Sequence, residues 1–193
     1  MQINKQLNKW CLILLSVLIL SACANNRQGP PPLDLPEETT VPIRMPKDPA
    51  TLRIMIEHIE RDLSEMGVRV INVGEDYLIT IPSDSLFIGN SPRIQAASYA
   101  ILNKVMLYLS CFDKVSVKVA AYTDDEQVDR RSHALTKAQA RNVANYFWNG
   151  GVQARLLYAK GYGEAEPITL RQTPDGRRQN RRLEVIFRKV HVL

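Results

Sequence analysis

Residues 115–159, VSVKVAAYTDDEQVDRRSHALTKAQARNVANYFWNGGVQARLLYA, contain the pattern that decides the fold. Residues 115–119 alternate between valine and polar side chains, which is typical of a strand with one buried face. Residues 132–149 carry apolar side chains at helical spacing, and Gly150 ends that run. A short apolar run at 156–159 predicts a second strand. Strand, helix and strand in this order predict a βαβ unit, and therefore an α/β sandwich with helices over a mixed sheet.

The segments on either side extend this architecture. Asp48 followed by Pro49 has the form of a helix N-cap with proline in the first turn, and Ser91 followed by Pro92 repeats it. The further predicted elements are a first helix, a hairpin or bent strand pair, a second helix and a last strand, at residues 50–66, 68–81, 91–109 and 182–187. Between the last two strands, the glycines and prolines of residues 161–176 predict a polar loop.

The N-terminal segment has the three parts of an export signal. Lys5 and Lys9 precede a ten-residue apolar run, which is too short to span a bilayer but suits a signal peptide. The sequence Leu-Ser-Ala-Cys that ends at Cys23 resembles a lipobox, in which the cysteine is acylated. We therefore expect residues 1–22 to be a lipoprotein signal peptide and Cys23 to carry lipid. The alternative is an ordinary secretory signal, or a short core helix that ends in cysteine. The lipoprotein resemblance also implies outer-membrane sorting, because Ala24 and not aspartate follows the cysteine.

Residues 23–49 differ sharply in composition from the rest, since seven of the eleven prolines lie there. Such a segment favours an extended polyproline conformation and cannot bury a core. We expect a tether that carries one folded domain, residues 50–193; the alternative is that the prolines dock onto a partner protein. If Cys11 leaves with the signal and Cys23 is lipidated, Cys111 has no partner for a disulfide and is expected to be a buried, inert thiol.

Five short motifs follow one another within residues 78–188. They are Leu86-Phe87, Ala121-Tyr122-Thr123-Asp124, Leu135-Thr136 with Ala138 and Ala140, Gly161-Tyr162-Gly163-Glu164 with Pro167, and Gly176-Arg177 with Asn180-Arg181-Arg182-Leu183-Glu184. In this order and at these spacings they resemble the OmpA-like family, the peptidoglycan-binding domain of several envelope proteins. The resemblance implies a βαβαβ sandwich, here preceded by a helix and a proline-rich tether.

The resemblance also implies a ligand and a site. The ligand is the zwitterionic end of diaminopimelate in the peptidoglycan stem peptide, which needs an acid for its ammonium and a base for its carboxylate. Asp124 stands at the position of the acid, with Thr123 before it in the turn and Asn90 at the position of another polar contact. The base of the family, fifteen residues after the acid, is replaced by Gln139, while Arg181 could reach in from the closing motif.

The substitution at Gln139 is the main departure from the family. Loss of a charge-assisted hydrogen bond costs about 1–2 kcal/mol, or roughly tenfold in affinity. Arg141 cannot replace the missing base, because two residues along a helix correspond to about 200° around its axis. Gln127 also stands where the family has a glycine. The simpler interpretation of Asp124 is a turn residue that caps its own backbone.

These features predict a non-enzymatic envelope lipoprotein without cofactor or metal. His58, His133 and His191 lack metal-ligand spacing, and the formal net charge of +5 is not an argument for nucleic acid in an exported chain. The short length, the tether and the altered site resemble accessory lipoproteins of large envelope machines, such as a type IVB secretion system. The expected partners are peptidoglycan, the outer membrane and other envelope proteins. The alternative is a structural subunit of such a machine whose glycan site is vestigial.

Overall fold

A computed structural model describes residues 45–124, 129–152, 154–170 and 173–190. The predicted signal peptide, Cys23 and the linker up to residue 44 lie outside these ranges, as do Gln127 and His191. The five strands are β1 (Arg69–Val73), β2 (Asp76–Pro82), β3 (Lys114–Tyr122), β4 (Leu156–Gly163) and β5 (Arg182–Lys189). The helices are α1 (Pro49–Glu65), α2 (Ser83–Leu86), α3 (Tyr99–Ser110), α4 (Asp129–Asn149) and α5 (Pro174–Asn180).

The strands form one mixed sheet in the order β1-β2-β5-β3-β4. The pair β3–β4 is parallel and is joined by α4, whereas the other three pairs are antiparallel. The α/β prediction is therefore confirmed, including the βαβ unit read from residues 115–159. Because β5 lies between β2 and β3, the closing motif is brought beside the ends of both strands.

The core lies between the sheet and its helices. Alternate side chains of β2, β3 and β5 point into it, including Ile79, Val119 and Val185, each 0% exposed. Its aromatic centre is the stack of Tyr77 on Phe187, with ring centroids 4.8 Å apart. Helix α4 packs on β3 and β4, while α1 packs on α3 and β1. Burial of these apolar side chains is the main favourable contribution to folding.

Helix α1 begins as the sequence predicts. The Asp48 carboxylate accepts a hydrogen bond from the backbone N–H of Thr51 at 2.8 Å, and Pro49 occupies the first turn. This cap satisfies one of the donors that a helix N-terminus leaves without a partner. None of the helices in the described part of the chain is both long and apolar enough to cross a membrane.

The second predicted helix starts later than expected. Ser91 and Pro92 lie in a loop, and α3 begins at Tyr99 after a single 3₁₀ turn. The Ser91 hydroxyl donates to the carbonyl of Ile88 at 2.7 Å, and Phe87 forms an isolated β-bridge with Ile94. The serine–proline pair therefore closes a turn between two extended residues, which is the other common use of this local signal.

Regular structure occupies both ends of the predicted loop after residue 159. Strand β4 continues to Gly163, and α5 occupies Pro174–Asn180. Helix α5 has an N-cap of the kind found in α1, since the Thr173 hydroxyl accepts a hydrogen bond from the N–H of Gly176 at 3.1 Å. The Thr173-Pro174 pair was thus a readable helix signal within a segment whose glycine content favoured a loop.

Cys111 is half-buried at the end of α3 and is a free cysteine. Its thiol donates a hydrogen bond to the carbonyl of Leu107 at 3.4 Å. Desolvation by burial raises the pKa of the Cys111 thiol to about 11, so the reactive thiolate is scarce near neutral pH. This environment agrees with the expectation of an inert thiol.

Candidate ligand site

The carboxyl end of β3 positions Thr123 and Asp124. The N–H of Thr123 donates to the carbonyl of Gly163 at 2.8 Å, which extends the parallel pairing of β3 and β4 beyond Tyr122. The N–H of Gly163 in turn donates to the Thr136 hydroxyl of α4 at 3.0 Å. Gly163 has φ of +61° and the His133 ring lies 3.2 Å from where a Cβ would stand, so both the backbone and the space favour glycine.

Asp124 is a buried acid, with 4% of its surface exposed. Its carboxylate accepts a hydrogen bond from Nη1 of Arg181 at 2.6 Å. Such a contact between two charged groups in a partly dry site is stronger than one in water, because the local dielectric constant is lower. The structure therefore brings together two side chains that are 57 residues apart in the sequence.

Arg181 also forms a fork with Asp84 of α2. Nε of Arg181 lies 3.0 Å from Oδ1 of Asp84, and Nη2 lies 2.9 Å from Oδ2. The hydrogen bond from Arg181 lowers the pKa of the Asp84 carboxyl, and the two carboxylates raise the pKa of Arg181. The guanidinium thus bridges Asp84, whose side chain is 48% exposed, and Asp124, whose side chain is 5% exposed.

Gln139, on helix α4, binds the loop that follows α2. It is 4% exposed, and its Nε2 donates to the carbonyl of Ser91 at 3.2 Å. One helical turn later, Asn142 donates to the carbonyl of Pro92 at 2.8 Å. Among the described residues, no hydrogen bond joins Gln139 or the exposed Asn90 to Asp124. Gln139 therefore holds the loop that carries Asn90 and forms no hydrogen bond with the acid among the described residues.

The neighbours of Arg181 in the closing motif have structural roles. The Asn180 amide donates to the carbonyl of Thr169 at 2.9 Å and accepts from the N–H of Thr169 at 3.1 Å. Arg182 is 5% exposed, with Nε 2.7 Å from the Glu184 carboxylate. Of the three consecutive side chains, only that of Arg181 reaches Asp124.

A shallow groove lies beside Arg181, between β1, β2 and α5. Its wall includes Arg69, Thr80, Arg178 and Gln179. Arg178 also contributes to the lowered pKa of Asp84 through its positive charge. A ligand that approaches Arg181 along this groove meets further guanidinium groups, which favours carboxylates.

Sequence reasoning missed Asp84. The residue lies 97 positions from Arg181, and a single aspartate between a strand and a short helix carries no local signal. Its distance of two residues from the Leu86-Phe87 motif was the one available hint. In chemical terms the site offers a buried acid beside a fixed guanidinium, which suits a group that carries both an ammonium and a carboxylate. Within the described ranges, no cluster of three histidine, cysteine or acidic side chains could hold a metal ion.

Comparisons with known proteins bear on this site. The profile of the OmpA family matches residues 86–181. The "Probable lipoprotein YiaD" of Escherichia coli K12 is 30% identical over 119 residues, which are 62% of this chain and 54% of that protein. The "Peptidoglycan-binding protein ArfA" of Mycobacterium tuberculosis is 33% identical over 90 residues, 47% of this chain and 28% of that protein. The matched part therefore spans about half, or less, of the length of these relatives.

Solved structures share the fold. The cell wall anchor of the type VI secretion system from Pseudomonas aeruginosa superposes with a TM-score of 0.63 at 23% sequence identity. The superposition covers 70% of this chain and 97% of that one. At this identity the likeness shows a common architecture of sheet and helices.

Proposed function

Residues 86–181 are an OmpA-family domain, and from this premise we propose that the domain binds the diaminopimelate end of the peptidoglycan stem peptide. One observation carries the proposal: Nη1 of Arg181 lies 2.6 Å from Oδ2 of the buried Asp124. An acid for the ligand's ammonium and a base for its carboxylate are thereby present at one place. The name of the mycobacterial relative, a peptidoglycan-binding protein, supports the same ligand.

In this proposal Arg181 supplies the basic group that is missing at position 139. The side chain of Gln139 donates to the Ser91 carbonyl, whereas the guanidinium that the site needs comes from Arg181, between α5 and β5. In this proposal Asp124 pairs with the ammonium and Arg181 with the carboxylate. Thr123, Asn90 and Gln139 shape the rim through the loop and strand end that they hold.

The proposal extends to a place in the envelope. We infer an outer-membrane lipoprotein, anchored through Cys23, whose proline-rich tether lets the domain reach peptidoglycan on the periplasmic side. The match to a probable lipoprotein supports the anchor. We propose a non-enzymatic role as an anchor or support for an envelope complex, such as a type IV secretion core.

Removing the acid is expected to weaken peptidoglycan binding strongly. Asp124→Asn keeps the shape of the side chain but removes the charge that attracts the ammonium, so sedimentation of the full-length protein with purified sacculi should fall at least about tenfold. Asp113→Asn is the matched control, because it removes one exposed carboxylate just before β3, at the end opposite Asp124. Equal sedimentation of the wild type and Asp124→Asn would contradict the proposed site.

A second candidate, a structural subunit with a vestigial site, is favoured by one observation. Asp124 and Gln139 both have partners within the protein, so the site is satisfied without a ligand. The same sedimentation experiment separates the two candidates. A wild-type protein that does not sediment with sacculi at low or moderate salt would support the structural subunit.

The anchor has its own test. In Cys23→Ser there is no thiol to acylate, so the protein is expected to leave the membrane fraction and appear in the soluble periplasmic fraction. Intact-mass measurement of the wild type should show added lipid on the mature chain that begins at Cys23. A wild-type mass that equals the unmodified polypeptide would rule out the lipoprotein proposal while leaving the peptidoglycan proposal untouched.

A further inference from the structure

Asp84 makes the most extensive contact with the site cation, although it lies outside every motif that the sequence resemblance contains. Both of its carboxylate oxygens accept from Arg181, at 3.0 and 2.9 Å. The backbone adds to this geometry, since the N–H of Ser83 donates to the carbonyl of Arg181 at 3.0 Å. Two neighbouring residues of α2 thus hold both the backbone and the side chain of Arg181.

We propose that Asp84 is a positioning residue, which keeps the Arg181 guanidinium beside Asp124 when a ligand enters and so makes the site select a zwitterion over a simple ammonium. This inference rests on the proposed function. In this inference the Asp84–Arg181 fork, and not Gln139, makes the site discriminate between a zwitterion and a simple ammonium.

All three nitrogen atoms of the Arg181 guanidinium donate to a carboxylate. Nε and Nη2 are used by Asp84, and Nη1 is used by Asp124. A ligand ammonium that binds Asp124 competes with Nη1 for that carboxylate, and the fork with Asp84 keeps the Arg181 guanidinium in place. Where the ammonium takes its place, Nη1 faces the ligand and needs another acceptor. A carboxylate on the carbon that bears the ammonium supplies that acceptor.

A ligand with an ammonium alone leaves Nη1 without an acceptor at a partly buried site, which is unfavourable. Without Asp84, Arg181 would be held only by Asp124 and would compete directly with the ligand's ammonium. Its guanidinium would also no longer be fixed for the carboxylate. The loss of Asp84 should therefore reduce the preference between ligands and not only the affinity.

A purely structural role for the fork makes a different prediction. If Asp84 only joined α2 to the start of β5, its loss would lower stability and reduce affinity for both kinds of ligand by the same factor. The backbone bond from Ser83 to Arg181 already joins these segments. Because the Asp84 side chain is about half exposed, its replacement by asparagine is compatible with folding.

The experiment compares two soluble tripeptides, one ending in meso-diaminopimelate and the other in L-lysine, which lacks only the side-chain carboxylate. Their dissociation constants are measured with full-length, detergent-solubilised protein for the wild type, Asp84→Asn, Arg181→Lys and the charge-matched control Asp113→Asn. We expect the wild type and the control to prefer the diaminopimelate peptide by about tenfold. In Asp84→Asn the preference should fall below about threefold, mainly through weaker binding of that peptide. Arg181→Lys keeps the charge but loses the fork, so the same reduction is expected.

An unchanged preference in Asp84→Asn, or an equal loss of affinity for both peptides, would overturn the positioning role while the peptidoglycan proposal stood. Failure of the wild type to bind either peptide would overturn both. If the preference disappears in Arg181→Lys but persists in Asp84→Asn, Arg181 discriminates without help from Asp84 and the inference is wrong.

Discussion

Replacing Gly161 with alanine is expected to lower the free energy of unfolding by about 3 kcal/mol, and the melting temperature by roughly 10 °C. An added Cβ would meet the backbone of α4: the amide nitrogen of Lys137, its Cα at 2.6 Å and the carbonyl carbon of Thr136 at 2.7 Å. Backbone atoms cannot turn aside as the end of a side chain can. Helix α4 would therefore have to move away from β4, the strand that it covers.

Gly150→Ala is the matched control for this prediction. A Cβ at Gly150 would lie 3.3 Å from the backbone oxygen of Tyr146, and it would come closer to the Sδ and Cε atoms of Met106, with Cε at 3.0 Å. These atoms form the end of a flexible side chain that can choose another rotamer, so the expected loss is below about 1 kcal/mol. Thermal unfolding followed by circular dichroism measures both variants. Equal melting temperatures for the two would show that α4 does not approach β4 as closely as the structure indicates.

Arg182→Ala is expected to cost about 3–5 kcal/mol of stability, because it leaves a buried carboxylate without its partner. Arg182 and Glu184 have side-chain exposures of 6% and 12%, and their charged groups lie 2.7 Å apart. The Arg182 guanidinium also stacks over the Tyr122 ring at 3.8 Å and donates to the Glu166 carbonyl at 3.0 Å. The substitution removes all three contacts and the packing around them.

The same strand supplies the comparison for Arg182. Arg188 forms a two-bond fork with Asp76, with both distances 2.7 Å, but the two side chains are 68% and 55% exposed. Water already solvates these charges, so Arg188→Ala should change the midpoint of chemical denaturation very little. The double variant Arg182→Ala with Glu184→Gln removes the unpaired charge and should recover part of the loss. A cost in Arg182→Ala no larger than in Arg188→Ala would show that burial of this pair contributes nothing.

Three arginines near the C-terminal strand show what sequence reasoning cannot predict. Arg181, Arg182 and Arg188 are chemically identical and lie within eight positions of one another. The first bridges two aspartates, the second is buried under Glu184 and Tyr122, and the third is solvated. Sequence motifs identified Arg181 as a residue that could reach the site. The side of the sheet on which each arginine lies, however, depends on strands from other parts of the chain.

Local signals for helix starts had the same limit. Asp48-Pro49, Ser91-Pro92 and Thr173-Pro174 have similar chemistry, yet only the first and the last begin helices. Ser91 closes a turn because Phe87 and Ile94 pair across it. A capping residue allows a helical turn to start at that position, but tertiary contacts decide whether a helix follows.

The sequence by itself determined the fold class, the βαβ unit of β3, α4 and β4 and the position of α1. These depend on periodic burial and on short-range backbone chemistry, which are local properties of the chain. Only the tertiary structure decided that Gly161 is needed beneath α4, that Gln139 serves the loop and that Asp84 fixes Arg181 beside Asp124. Each of these is a contact between residues far apart in sequence, and its energy arises only after the sheet has closed around β5.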